Sequence, residues 1–262
     1  MSEIPDPDQR LVGSDRVLAV LIELGAHPRG VTLDELAQTL HSPKSTVHRA
    51  LVSLRKAGLA AQIGRGEYLL GDEFLRIAFR NYADRPDAAL ITPVLEQLSQ
   101  TFEETVHYAV LDGAEVVYRA KTDPPGGSVR LTSVIGGRNP AYRTAVGKLL
   151  LSYAVDSEEA LREVLGPEPL AAQTAHTITD PAVLWRELQE TRARGYAVDD
   201  QENEVGVNCV AVPAGLDARL RPTGAVSVSA LAFRTPLSSL IERIDEIVEL
   251  AAGLPGDHLA RS

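Results

Sequence analysis

Cysteine occurs once in the 262 residues, at Cys209. A single thiol excludes an internal disulfide and any Cys-x-x-Cys zinc site. No apolar run approaches the ~18–20 residues needed to cross a bilayer. The start, Met1 to Arg10, is acidic and Pro-containing and lacks the basic-then-apolar order of a signal peptide. The expectation is a soluble, cytoplasmic protein with no membrane partner. Catalytic signatures are missing too: no Gly-x-Ser-x-Gly elbow, no His-Glu-x-x-His, no Walker-type loop and no dinucleotide glycine pattern. The histidines His27, His41, His48, His107, His176 and His258 show no pair at helical metal-ligand spacing. No metal, no cofactor and no catalytic residue is expected. Cys209 forms a dyad with His107 or His176 only if folding brings them together.

Basic charge is also scarce, with a net charge of −10. Its distribution matters more than its total. Residues 1–70 balance eight Lys and Arg against eight Asp and Glu, so the whole deficit lies in residues 71–262. Leu36 to Gly66 contains no acid but holds Lys44, Arg49, Arg55, Lys56 and Arg65. A local basic face on an acidic chain is compatible with DNA binding, because contact depends on local potential.

Apolar periodicity predicts a helix over Ser14 to Leu24, with Ser14 as N-cap and Gly25 and Pro28 beyond its end. Thr32 with Glu35 forms a capping box for a second helix. After the turn His41-Ser42, Pro43 suits the first position of a third helix, which runs to about Lys56 and ends at Gly58. Ala61-Gln62-Ile63 and Tyr68-Leu69-Leu70 flank Gly64-Arg65-Gly66 as a hairpin. Gly71 to Asn81 and Leu90 to Phe102 are helical, with Pro86 between them. From Thr105 the period becomes two: Val106, Tyr108 and Val110, then Val116, Tyr118 and Ala120, joined at Asp112-Gly113. Pro124 to Gly127 reads as a loop and Val129 to Leu131 as a short strand. Helices are expected over Thr144 to Ala154, Ser157 to Leu165, Pro181 to Arg194 and Pro236 to Ala252. Strands are expected over Val207 to Val212 and Ala225 to Ala232. Without strict βαβ alternation, this is an α+β chain with a mostly antiparallel sheet.

Helix, helix, turn, helix and Gly-tipped hairpin is the order of a winged helix-turn-helix. Such a fold needs small polar and basic groups on the free face of its third helix. Ser42, Lys44, Ser45, Thr46, His48 and Arg49 are expected there. Ser and Thr suit phosphate or base edges, and Lys44 and Arg49 suit phosphate or guanine. Arg55 adds charge farther along, and Arg65 at the hairpin tip suits a minor groove or the flanking backbone.

The chain resembles the IclR family of bacterial transcriptional regulators over about Val12 to Ala252. Four matches in order carry the resemblance: TLDELAQTLHSPKSTVHRALVSLRKAGL (Thr32 to Leu59), YRTAVGKLLLS (Tyr142 to Ser152), RGYAVDDQENEVGVNCVAVPA (Arg194 to Ala214) and GAVSVSALAFR (Gly224 to Arg234). The resemblance implies a GAF-like α/β effector-binding domain after the winged helix. It also implies a homodimer or homotetramer on palindromic double-stranded DNA, and a small-molecule effector such as an organic acid. The implied effector set is Leu131, Ala145, Val146, Asp199, Cys209, Ser227 and Ser229. Three positions depart from the family pattern. Ala230 stands where Gly is frequent, Tyr142 where His is frequent, and Asn208 where Arg or Lys is frequent. The last implies a pocket short of one positive charge, suited to a larger or less charged ligand.

The expected organisation is a winged helix-turn-helix over 10–70, a helical connector and dimerisation segment over 71–103, and the GAF-like domain over 104–254. Two other readings stay open. One is a helical interaction module that binds protein and no DNA; the other is a GAF-fold enzyme using Cys209. Taken without the resemblance, Cys209 in a Val-rich run is a small buried hydrophobe, Ser227 and Ser229 face solvent or a neighbouring layer, and Asp199-Asp200 forms a polar turn.

Overall fold

The computed structural model describes residues 13–64, 66–83, 86–126, 131–167, 169–219 and 221–254. The chain divides into two units at residues 85–86.

In the first unit, α1 (Ser14–Gly25) buries Val20 and Leu24. Its N-cap is Gly13 rather than Ser14, with no side-chain cap bond. Thr32 and Glu35 close the expected capping box at α2 (Leu33–Thr39). His41 turns the chain with a positive φ of 45°, and α3 (Lys44–Lys56) follows. Pro43 lies one position outside this helix, as its N-cap; its carbonyl accepts from the N–H groups of Thr46 and Val47. Gly58, at φ 73°, ends the helix by letting Leu59 N–H reach back to the Leu54 carbonyl. The hairpin forms as β2 (Ala60–Ile63) and β3 (Glu67–Leu70). A two-residue strand, β1 (Val31–Thr32), completes a sheet of order β1-β3-β2. Leu36, Val47, Leu51, Leu54 and Tyr68 fill the core beneath. Helix α4 (Asp72–Ala83) ends this unit.

The second unit begins with α5, which starts at Pro86 and runs to Phe102, longer than its expected core. Its sheet has six strands, all paired antiparallel, in the order β6-β5-β4-β9-β8-β7. The strands are β4 (Thr105–Asp112), β5 (Glu115–Thr122), β6 (Arg138–Pro140), β7 (Ala197–Asp200), β8 (Val207–Leu216) and β9 (Pro222–Leu231). Alternation sends Val106, Tyr108, Val210, Val212, Val226 and Val228 to one face, under α5, α9 (Leu237–Glu242) and α10 (Ile244–Ala251). The expected single closing helix is therefore two, split at Arg243. Ala109, Val116, Ala197, Ala211 and Ala225 face the other way, under α6 (Ala145–Ala154), α7 (Glu158–Leu165) and α8 (Pro181–Arg194). Small alanines on this face let α6 lie close. Gly147 brings α6 closer still to the 3-10 turn Ala141–Arg143: a Cβ there would stand 2.2 Å from the Ala141 carbonyl oxygen. Of the strand expected over Val129 to Leu131, Val129 and Arg130 lie outside the described residues, and Leu131 is not in a strand.

Candidate functional site

Helix α3 buries Thr46, Val47, Ala50, Leu51 and Leu54. That spacing leaves Lys44, Ser45, His48 and Arg49 exposed, and Val52, Ser53, Arg55 and Lys56 beyond them. The helix thus has a mostly polar, basic face, interrupted by exposed Val52, next to its free N-terminal N–H groups. Lys44 pairs with Asp34 of α2, at 2.8 Å between two largely exposed side chains. Exposed pairs of this kind contribute about 0–1 kcal/mol, so a phosphate competes readily for the ammonium. Thr46 corrects the expected exposed set: at 9% exposure it is turned into the core. Two of its neighbours, Val47 and Ala50, are buried on the same side, so helical spacing carries Thr46 inward with them. Ser42 is half-buried and its hydroxyl donates to the Leu40 carbonyl at 3.0 Å. It keeps lone pairs to accept with, but must leave Leu40 to donate to phosphate. Arg65 lies outside the described residues; Gly64 and Gly66 on either side both have positive φ, as a tight tip requires.

In the second unit, antiparallel register does the assembling. Asp199 pairs with Cys209 and Cys209 with Ser229, which sets β7, β8 and β9 side chains in one cross-strand row. Ser227 lies two residues from Ser229 on the same face, opposite His107 of β4. This row floors a cavity of about 530 Å³. Ala145 and Val146, in the first turn of α6, form one wall, and Leu131 begins the segment across the mouth. All the residues of the expected effector set line this one space. Thr144 caps α6 through Gly147 N–H at 3.1 Å, so the N–H groups of Ala145 and Val146 have no intrahelical partner.

Several lining residues lie outside the expected effector set, among them His107, which was considered only as a partner of Cys209. His107 is buried, and loss of water together with the nearby Lys121 charge lowers its pKa to about 3. The ring is therefore neutral, with one donor and one acceptor nitrogen. Its Nε2 is 2.7 Å from Ser133 Oγ, its Nδ1 3.4 Å from Ser229 Oγ, and Cys209 Sγ donates to Ser229 at 3.1 Å. If Ser229 donates to Nδ1, then Nε2 carries the proton and donates to Ser133. The Tyr118 ring packs 5.0 Å from His107, and burial raises its phenol pKa to about 12. Lys121 Nζ donates to the carbonyls of Leu131 (2.9 Å) and Ser133 (3.0 Å), pinning that segment over the floor.

Asp199 is the titratable centre. Burial raises its pKa to about 7, against the opposing pull of Lys148 and of the Glu202 and Asn203 N–H groups. Those N–H groups donate to Oδ1 at 2.7 and 3.3 Å. Behind the turn, Lys148 of α6 makes a buried ion pair with Glu202. Burial and the charge of Asp199 push the Cys209 thiol well above its ordinary pKa. A protonated thiol is a poor nucleophile, and Ser229 stands between it and the neutral His107. His176 is exposed, outside the cavity lining.

The expected loss of positive charge through Asn208 is corrected. Asn208 pairs beside Asp200 on the opposite face from Cys209, and its amide lies against Thr235. The cavity has its own cations in Arg138 and Arg143. Arg138 is neutralised by Asp112 and Glu115. Tyr142 is buried, donating to the Ala171 carbonyl at 2.7 Å, and Ala230 is buried on the α5 side.

Among the described residues no helix is long and apolar enough to cross a membrane. No group of three or more potential metal ligands occurs among them either. Two family models match the chain: the IclR helix-turn-helix domain over residues 14–64, and the bacterial transcriptional regulator IclR C-terminal domain over 81–253. The Pca regulon regulatory protein of Pseudomonas putida is 32% identical over 247 residues, covering 94% of this chain and 83% of that protein. A crystal structure of an IclR transcriptional regulator from Alicyclobacillus acidocaldarius has a TM-score of 0.78 at 27% identity, covering 94% of this chain and 99% of that one. An IclR homolog from Microbacterium hydrocarbonoxydans, complexed with 4-hydroxybenzoate, has a TM-score of 0.75 and covers 91% of this chain and 97% of that one. At 24% identity, that likeness is one of fold.

Proposed function

The chain belongs to the IclR family of bacterial transcriptional regulators, and from that premise we propose how its residues divide the work. It is a DNA-binding regulator whose operator binding is modulated by a small-molecule effector. We assign the DNA contacts to Lys44, Ser45, His48 and Arg49 on α3, with Ser42, Arg55 and Arg65 flanking them. Thr46 acts from inside, by fixing the start of the helix. The effector occupies the cavity over Asp199, Cys209, Ser227 and Ser229, against Leu131, Ala145 and Val146. Residues 10–70 form the DNA-binding domain, 71–103 the connector and dimerisation segment, and 104–254 the effector domain. The chain works in the cytoplasm as a homodimer or homotetramer on a palindromic operator. It has no catalytic step.

One observation carries this reading: residues from five separate stretches of sequence converge on one cavity with both polar and apolar lining. A ligand there alters DNA binding only through a differential affinity for two states, usually about 1–3 kcal/mol of coupling. The test uses DNA from upstream of the protein's own gene. Affinity should fall steeply with salt, and Lys44→Ala or Arg49→Ala should each lower the log–log slope by about one while leaving the melting temperature nearly unchanged. Ser229→Leu, which fills the cavity floor, should keep operator binding but lose ligand-dependent release. Absence of sequence preference at physiological salt would refute the DNA reading.

A further inference from the structure

Lys44 stands apart from the other cations of α3. Of Lys44, Arg49, Arg55 and Lys56, it alone has a carboxylate partner among the described residues, and that partner is Asp34. No acid lies between Leu36 and Gly66; the carboxylate comes instead from the first turn of α2. Of the two acids in that turn, Glu35 is committed to the capping box, accepting from the N–H and the hydroxyl of Thr32 at 2.8 and 2.7 Å. Asp34 has no part in the box. It reaches across to the Lys44 ammonium, at 2.8 Å.

That place matters on a DNA-reading surface. In a helix-turn-helix the N-terminal residues of the second helix enter the groove while the first helix crosses the phosphate backbone. Pro43 gives α3 no side-chain cap. Its carbonyl takes the N–H groups of Thr46 and Val47, which leaves those of Lys44 and Ser45 without an intrahelical partner. A phosphate drawn to this helix start meets a carboxylate already seated on the nearest ammonium. Both side chains are largely exposed, so burial does not lock the pair.

We propose that Asp34 is a built-in competitor of DNA: it occupies Lys44 in the free protein, and a backbone phosphate must displace it to bind. The inference rests on the assignment of α3 to DNA. Phosphate carries no sequence information, so the contact lowers the affinity for every duplex by the same factor. An exposed pair sets that factor at about two- to fivefold for each α3 engaged. For a homodimer placing two copies on one palindrome the factor is squared, to about four- to 25-fold. Asp34 thereby sets how strongly the first unit holds any DNA and leaves the choice of sequence to other residues.

The test is a fluorescence-anisotropy titration of the full chain with two labelled duplexes of equal length: DNA from upstream of its own gene and a mixed-sequence control. Asp34→Asn should tighten binding to both by the same factor, about twofold or more, with the melting temperature nearly unchanged. In a Lys44→Ala background the same substitution should have no effect, because its target is gone. Should Asp34→Asn fail to fold, Asp34→Ser replaces it, since a hydroxyl also suits a helix start. Affinity that stays the same or falls overturns the proposal, as does a gain that persists without Lys44. A gain on one duplex alone overturns it too, because Asp34 would then be positioning Lys44 for a base. A wild type that binds neither duplex refutes the assignment of α3 itself, and the proposal with it. A wild type that prefers its upstream DNA, with affinities that Asp34→Asn leaves unchanged, refutes the Asp34 proposal alone.

Discussion

Replacing Asp199 by Asn tests the electrostatics of the cavity directly. In the fold Asp199 titrates at about 7, against 3.8 as the ordinary value that applies once the chain unfolds. Between those values the folded chain holds a proton that the unfolded chain has lost, so stability falls as pH rises through this window. Below about pH 3 both states are protonated and the effect vanishes; above about 8 the penalty is complete. One pKa unit corresponds to about 1.36 kcal/mol, so a gap of about three units amounts to roughly 4 kcal/mol, of which about 2 kcal/mol falls between pH 5.5 and 8.5. An Asn amide oxygen can still accept from the N–H groups of Glu202 and Asn203 but has no charge to desolvate. Asp199→Asn should therefore flatten this part of the pH dependence and stabilise the domain above pH 7. The sole tryptophan, Trp185, lies on α8 of the same unit, so urea unfolding of the full chain followed by its fluorescence reads the right domain. Burial raises the pKa of Glu202 as well, with the same sign, so a residual slope should remain in the variant. An unchanged slope in Asp199→Asn, or a wild type equally stable at pH 5.5 and 8.5, would refute the reasoning.

Three further outcomes follow from packing. Gly147→Ala forces a Cβ onto the Ala141 backbone and should cost about 3 kcal/mol or somewhat more, beyond ordinary overpacking; thermal melts check this. Lys148→Met strands Glu202 in the interior and should cost about 3–5 kcal/mol, while adding Glu202→Leu should recover much of that loss; full-length urea titrations of both variants decide it. Thr32→Ala breaks the α2 capping box and should destabilise the first unit by about 1 kcal/mol, seen as an earlier melt by far-UV circular dichroism with the Trp185 signal unaltered.

The parts most legible in the sequence were those with local chemistry. Thr32 and Glu35 announce α2, Gly64 and Gly66 announce the hairpin, and β8 and β9 follow from their valines. The short strands β1, β6 and β7 were missed, because two to four residues carry too little period and take their backbone partners from distant segments. The cavity residues were reached through family resemblance, and the register of β7, β8 and β9 supplies the physical reason they meet. His107 was considered only as a dyad partner of Cys209; its place in the cavity lining follows from alternation with Ala109 on the same face. Asn208 was a readable error. Once Cys209 faces the cavity, strand alternation turns residue 208 away. Thr46 was similar, since a helix that buries Val47 and Ala50 must bury what lies on their side.

The chain of contacts from Cys209 through Ser229 and His107 to Ser133 has a sense, like a row of arrows. Each group hands its proton forward, and a neutral imidazole can pass the row on in only one direction for a given tautomer. The last arrow leaves from the hydroxyl of Ser133, whose own proton is free to point into the cavity. The first begins at a sulfur, a feeble acceptor. An incoming carbonyl or carboxylate oxygen extends the row at its Ser133 end. A donor placed there can meet only the second lone pair of Ser133 and leaves the hydroxyl proton without that partner. The floor of the cavity thus distinguishes ligands by the polarity of their hydrogen bonds, in addition to their shape.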